Sequence, residues 1–250
     1  MSKIKISVVS YLNSKPFIYG LNHSEIIDKI DLQLDIPSVC AKKLIDDKVD
    51  IGLIPVAILS QLNEQYIISD YCIGAEGKVA SVMLYSNVPL QEISSVLLDY
   101  QSNTSVLLVK VLARYFWKIK PQWIAAKANF EHDIIGNNAA VIIGDRTFGI
   151  GNKYLYSYDL AEEWQKFTQL PFVFACWVAN KKLPDEFIND FNRALKYGID
   201  NRPALIAELI EQNAYFTDIE VYLTQNIKYD YNATKKQALK LFLDYISGLG

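Results

Sequence analysis

Two short apolar segments constrain this chain most, Val79-Ala-Ser-Val-Met-Leu-Tyr-Ser86 and Phe172-Val-Phe-Ala-Cys-Trp-Val-Ala179. Each falls where one series of alternating strands and helices stops and another begins. Paired crossings of this kind predict an α/β fold of two lobes joined by a double hinge and closing on a small ligand in a cleft. The chain has 250 residues, 51% of them hydrophobic, so it can bury a substantial core as one large domain or two small lobes. Residues 1–84 and 177–250 are assigned to the first lobe and residues 85–176 to the second.

The first lobe begins with a strand from Ile4 to Val9, the loop Ser10-Tyr-Leu-Asn13, and a helix capped by Ser14 with Pro16 in its first turn. A strand from Leu32 to Ile36, a helix from Val39 to Asp46, a buried strand from Asp50 to Pro55 and a helix from Val56 to Leu62 follow. In the second lobe the pattern gives strands at Ser95 to Tyr100, Pro121 to Ala126 and Ala139 to Asp145, a helix from Thr104 to Phe116, and a helix from Leu160 to Phe167 capped by Asp159. Alternation of this kind predicts largely parallel sheets with covered faces. Beyond Ala179 everything reads as helix: Asp185 to Tyr197, Pro203 to Asn213, Asp218 to Gln225 and Thr234 to Ile246. In the last, Ala238, Leu241, Phe242 and Tyr245 form one apolar face that should pack back on the first lobe.

A formal charge of -3 leaves no basic footprint for a nucleic acid. Charged residues interrupt every apolar stretch before the roughly 20 residues a bilayer span needs, so no membrane partner is expected. The amino terminus reads as a buried strand and not as an export signal, which predicts a cytoplasmic protein. Cys40, Cys72 and Cys176 are odd in number and widely spaced, and fit reduced core thiols. The only histidines, His23 and His132, lie in polar stretches and read as solvated, and no nucleotide-binding or Cys-x-x-Cys pattern occurs. No cofactor or metal is expected, and oligomeric state is left open.

In open α/β sheets a ligand lies beyond the carboxyl ends of the strands, where loops lead into helix amino termini. The loops in question are Ser10 to Asn13, Ile54-Pro55, Gln101 to Ser105 and Gly144-Asp145. Helix amino termini offer unpaired N–H groups and a positive partial charge, so one in each lobe would suit a small dianion. Each feature also has a plainer reading. Asn13, Ser102, Thr104 and Ser105 are helix-capping types, and Gly144 with Asp145 is a turn pair. Occurrence at equivalent strand ends of both lobes favours binding. Trp177 and Phe172 read chiefly as core, with a border on the cleft as the lesser alternative.

Taken in order, Val9-Ser-Tyr-Leu-Asn-Ser-Lys-Pro-Phe17, Asp50-Ile-Gly-Leu-Ile-Pro-Val56, Gly77-Lys-Val-Ala-Ser-Val-Met-Leu-Tyr-Ser86, Ile143-Gly-Asp145, Tyr158-Asp-Leu-Ala-Glu-Glu-Trp164 and Leu170-Pro-Phe-Val-Phe-Ala-Cys-Trp177 resemble the chorismate dehydratases of the futalosine route to menaquinone. The likeness runs over about the first 180 residues. It implies a type II periplasmic-binding-protein fold with a helical carboxyl-terminal tail, used as a hydro-lyase that converts chorismate to 3-[(1-carboxyvinyl)oxy]benzoate. It further implies cleft positions at Asn13, Ser81, Thr104, Ser105, Gly144 and Asp145; to these the reading of the loops adds Ser10 as a binding residue and assigns Asn13 the catalytic role. One departure stands out: Asn103 replaces the arginine usual in the family's Ser-Arg-Thr-Ser, so no clamping role of that arginine carries over.

Chorismate is a dicarboxylate, which agrees with two opposed helix ends. Loss of water makes its ring aromatic, which agrees with a site lacking histidine or metal. Three rival readings share the architecture: a solute-binding protein that captures an anion without chemistry, the sister enzyme acting on cyclic dehypoxanthine futalosine, and a ligand-sensing regulatory domain. The Tyr-Leu-Asn and Leu-Ile-Pro segments favour the dehydratase.

Overall fold

The computed structural model describes residues 3–212 and 218–249. One sheet contains β1 (Ile4–Val9), β2 (Ile30–Asp35), β3 (Ile51–Pro55), β4 (Tyr66–Ala75), β10 (Phe172–Ala179) and β11 (Lys228–Asp230). The other contains β5 (Val82–Ser86), β6 (Ser95–Leu98), β7 (Gln122–Ala125), β8 (Asn138–Ile143) and β9 (Tyr156–Asp159). Their orders are β11-β4-β10-β3-β1-β2 and β7-β6-β8-β5-β9. Helices α1 (Lys15–Asn22) and α2 (Pro37–Ile45) carry the chain between β1, β2 and β3, and these strands pair in parallel. In the second sheet β6 pairs in parallel with β7 and β8, and α3 (Asn103–Val111) runs on into a wider turn over Leu112–Trp117.

Both sheets are mixed, against the largely parallel expectation. Strand β10 runs antiparallel to β3 and β4, and β5 runs antiparallel to β8 and β9. Parallel pairing needs a crossover connection that returns to the same sheet, and β5 and β10 are each entered from the opposite sheet. The sheets also part elsewhere than at residues 84/85 and 176/177: β5 lies wholly in the second sheet and β10 wholly in the first. The chain crosses through residues 76–81, and again after α4 (Leu160–Thr168). At the return, Asp159 gathers both ends of the junction. Its carboxylate accepts from the N–H groups of Val79 (2.9 Å) and Ala80 (2.7 Å) and from those of Ala161 (3.0 Å) and Glu162 (3.2 Å) at the start of α4.

Three strands were not foreseen. In β4 and β9 the polar and apolar residues are mixed, and β11 spans three residues within what reads as an all-helical tail. The rest of the tail is α5 (Asp185–Asp200), α6 (Arg202–Glu211), α7 (Ile219–Val221) with a wide turn to Asn226, and α8 (Ala233–Ser247). Asn213, the expected end of the second tail helix, lies outside the described residues. Helix α8 does not pack on the first sheet alone. Phe242 meets Phe172 of β10 and Trp164 of α4, while Tyr245 meets Trp164, Phe167 and Tyr115, so α8 seals the junction of the two lobes. Trp177 and Phe172 are core residues, with Trp177 edge-on to Phe17 and Phe191. The three cysteines are buried and free. Among the described residues no helix is long and apolar enough to cross a membrane.

Helices α1 and α5 cross at a pair of glycines. A Cβ on Gly198 would lie 1.8 Å from the carbonyl oxygen of Pro16, and one on Gly20 would lie 2.0 Å from that of Ala194. Replacing an exposed helical glycine by alanine gains about 1 kcal/mol of helix propensity. Here the overlap with rigid backbone dominates, because the helices must separate and unpack the core between them. Gly198→Ala is expected to destabilise the protein by about 2–3 kcal/mol, measured by urea unfolding; a stabilised variant would show that the helices part freely.

Candidate functional site

The strand ends of the two sheets face each other across a half-open cavity. Val9, Pro55, Ile73 and Phe174 line it from the first sheet, and Val82 and Ile143 from the second. The polar part of the wall comes from the loops: Tyr11, Asn13 and Ser14 after β1, Ser81 before β5, and Ser102, Thr104 and Ser105 at the start of α3. No charged side chain is among these lining residues. Nor do three His, Cys, Asp or Glu side chains among the described residues come together as a metal site would require.

Of the residues singled out in the sequence, Asn13, Ser81, Thr104, Ser105 and Gly144 meet at this cavity. Ser10 does not: it is exposed, and its N–H is bonded to the carbonyl of Asp35 at the sheet edge. Asp145 stands behind the wall and not in it. Its two carboxylate oxygens share the N–H of Leu12, at 3.0 and 3.2 Å. Asn103 at the first turn of α3 is exposed.

The start of α3 is built as capping residues dictate. Ser102 Oγ accepts from the Ser105 N–H at 3.1 Å and donates to Ser105 Oγ at 2.9 Å. Thr104 reaches across to the other sheet, accepting from the Ala57 N–H and donating to the Phe174 carbonyl, each at 3.2 Å. That carbonyl is available because the β4–β10 register shifts between Val173 and Ala175. The Thr104 hydroxyl therefore joins the lobes. The N–H groups of Asn103 and Thr104 have no acceptor among the described residues, and helix geometry directs them out of the end of α3.

Opposite them, Ser14 Oγ donates to Asn13 Oδ1 at 3.1 Å, and Tyr229 donates to the Asn13 carbonyl at 2.9 Å. The buried phenol of Tyr222 donates to Ser81 Oγ at 2.7 Å. Asn13 and Ser81 line the cavity, and the Tyr222 phenol holds Ser81. Tyr11 packs on Gly144, where a Cβ would fall 2.6 Å from the ring; the residue also has φ +65°, so both space and backbone require glycine. The Tyr11 hydroxyl donates to Gln101, and burial raises its phenol far above the ordinary value, so it holds its proton. Behind it, the buried Asp99 accepts from the N–H groups of Gln101 (2.9 Å) and Ile143 (3.1 Å) and pairs with Arg146. Sequence pattern offered no signal for Tyr222 or Tyr229, which lie about 140 and 220 residues from their partners Ser81 and Asn13.

A cleft between the strand ends of two sheets, crossed twice by the chain, defines the class of periplasmic-binding-protein folds. Solved structures agree. A protein from Archaeoglobus fulgidus superposes with a TM-score of 0.74 at 12% identity, covering 98% of this chain and 97% of that one. The alkanesulfonate-binding protein SsuA of Xanthomonas axonopodis pv. citri, bound to MOPS, gives 0.67 at 12% identity over 100% and 93%. A Candida albicans gene product described as having the generic periplasmic binding protein fold gives 0.62 at 14% identity over 100% and 94%. The family model described as menaquinone biosynthesis matches residues 4–247, and the chain belongs to that family.

Burial raises the Asp145 carboxyl to about 6, while the Leu12 N–H and the charge of Lys15 act to lower it. The folded state then binds this proton more tightly than an unfolded chain, whose aspartates titrate near about 3.9. The stabilisation it supplies is complete below about pH 4 and is lost as pH rises through about 6. Asp145→Asn lacks this titration and should gain on the wild type by on the order of 2 kcal/mol between about pH 4 and 7. Urea unfolding across that range measures it; a pH-independent difference would contradict the assignment.

Proposed function

We propose that this protein is a hydro-lyase that converts chorismate to 3-[(1-carboxyvinyl)oxy]benzoate and water. One observation carries the reading beyond family membership: a cavity with unpaired backbone N–H groups at the start of α3 whose lining, among the described residues, holds no side chain able to act as a base at neutral pH. Among the described residues, Tyr11 is the only titratable one in the lining, and burial keeps it protonated. An elimination on such a wall suits a substrate that brings its own base and gains aromaticity by reacting.

One carboxylate of the dianion sits at the amino end of α3, against the N–H groups of Asn103 and Thr104 with the Ser102 and Ser105 hydroxyls beside them. Asn13 orients the ring and hydrogen-bonds near the reacting carbons. The enolpyruvyl carboxylate removes the C3 proton, the C3–H electron pair becomes the new ring double bond, and hydroxide departs from C4. The abstracted proton balances that hydroxide as water. Asp145 is a poor alternative base, because its oxygens are directed at Leu12 and not into the cavity.

Anion capture without chemistry is the second reading, favoured by the likeness in fold to a protein seen with a bound sulfonate. Incubating the purified protein with chorismate separates the two. Appearance of a benzoate absorbance with stoichiometric product supports the lyase; binding without conversion overturns it. Asn13→Ala should lower kcat by roughly 10²-fold with little change in KM, as expected when an interaction made mainly in the transition state is removed. A raised KM with kcat intact would reduce Asn13 to a binding residue.

A further inference from the structure

Residues 11–13 belong to the first lobe yet are gripped from both. From the second lobe, Gly144 receives the Tyr11 ring, Gln101 accepts from its hydroxyl, and Asp145 accepts from the Leu12 N–H. From the first-sheet side, Tyr229 of β11 donates to the Asn13 carbonyl. The backbone carrying the Asn13 side chain is therefore pinned at its amino side by one lobe and at its carboxyl side by the other.

We propose that Asp145 is a positioning residue that acts through Asn13, so that docking of the two lobes sets the Asn13 amide in its working orientation. The inference rests on the reading of Asn13 given above. Three features support it. Both Asp145 oxygens are committed to a single N–H one residue before Asn13. Asp145 is not among the residues that line the cavity. The carboxylate is also largely withdrawn from water, a cost that pairing with the Leu12 N–H offsets. Opening the lobes breaks this bond and leaves Asn13 held from one side only.

Amide hydrogen exchange of the full chain tests the contact directly. In Asp145→Ala, protection of the Leu12 amide should fall at least about tenfold, while the Ala57 amide, held across the lobes by Thr104, keeps its protection. Asp145→Asn retains an acceptor oxygen and should preserve Leu12. Unchanged Leu12 protection in Asp145→Ala overturns the proposal, and so does equal loss at Ala57, which would mean general lobe opening. With chorismate, Asp145→Ala should lower kcat about tenfold, and the Asn13→Ala/Asp145→Ala double variant should be no slower than Asn13→Ala alone. Multiplicative losses overturn it, as does an Asp145→Asn variant as slow as Asp145→Ala, which would make Asp145 a base. If the wild type leaves chorismate unchanged, the functional reading fails, and the exchange data still decide whether Asp145 holds residues 11–13.

Discussion

The hydroxyl of Thr104 is the joint on which the architecture turns. It takes a hydrogen bond from the turn after β3 and gives one to β10, so the first turn of α3 in one lobe is fixed to two elements of the other. Two polar backbone groups at the lobe boundary are satisfied by one buried side chain, where an unpaired group would cost about 1–3 kcal/mol. The same bonds leave the Asn103 and Thr104 N–H groups at the helix end, facing the space between the sheets. Docking of the lobes and the unpaired N–H groups at the end of α3 thus lie in one capping sequence.

Around that joint, polar contacts between the lobes are local and few, and the apolar seal lies elsewhere. Helix α8 covers the back of the junction through Phe242 and Tyr245, packed on residues of α4, β10 and the wide turn after α3. The front is closed by hydrogen bonds of Tyr11, Leu12 and Thr104. The junction thus has an apolar back and a hydrogen-bonded front.

Much of this was legible in the sequence where the local pattern is strong. The segment Phe172–Ala179, apolar throughout, is a strand buried along its whole length; Asp159 caps α4; Ser102 caps α3. Gly144 was legible as a turn, but its reason is the Tyr11 ring that rests on it. The strands β4, β9 and β11 escaped notice because mixed or very short patterns become strands only when a neighbour supplies the ladder. Asp145 was readable as an acidic residue near a cleft, yet its partner is a backbone N–H 133 residues away.

By itself the sequence determined the repeated strand–loop–helix units, the two crossings, the caps of α3 and α4 and the family resemblance, because each is written in residues close together along the chain. Tertiary structure alone decided which strand ends face each other, that the tail returns Tyr222 and Tyr229 to the site, and that Asp145 turns toward Leu12 and away from the cavity. Those outcomes depend on hydrogen bonds between residues far apart in sequence, and such bonds are chosen by the packing of whole sheets and helices, which no local pattern encodes.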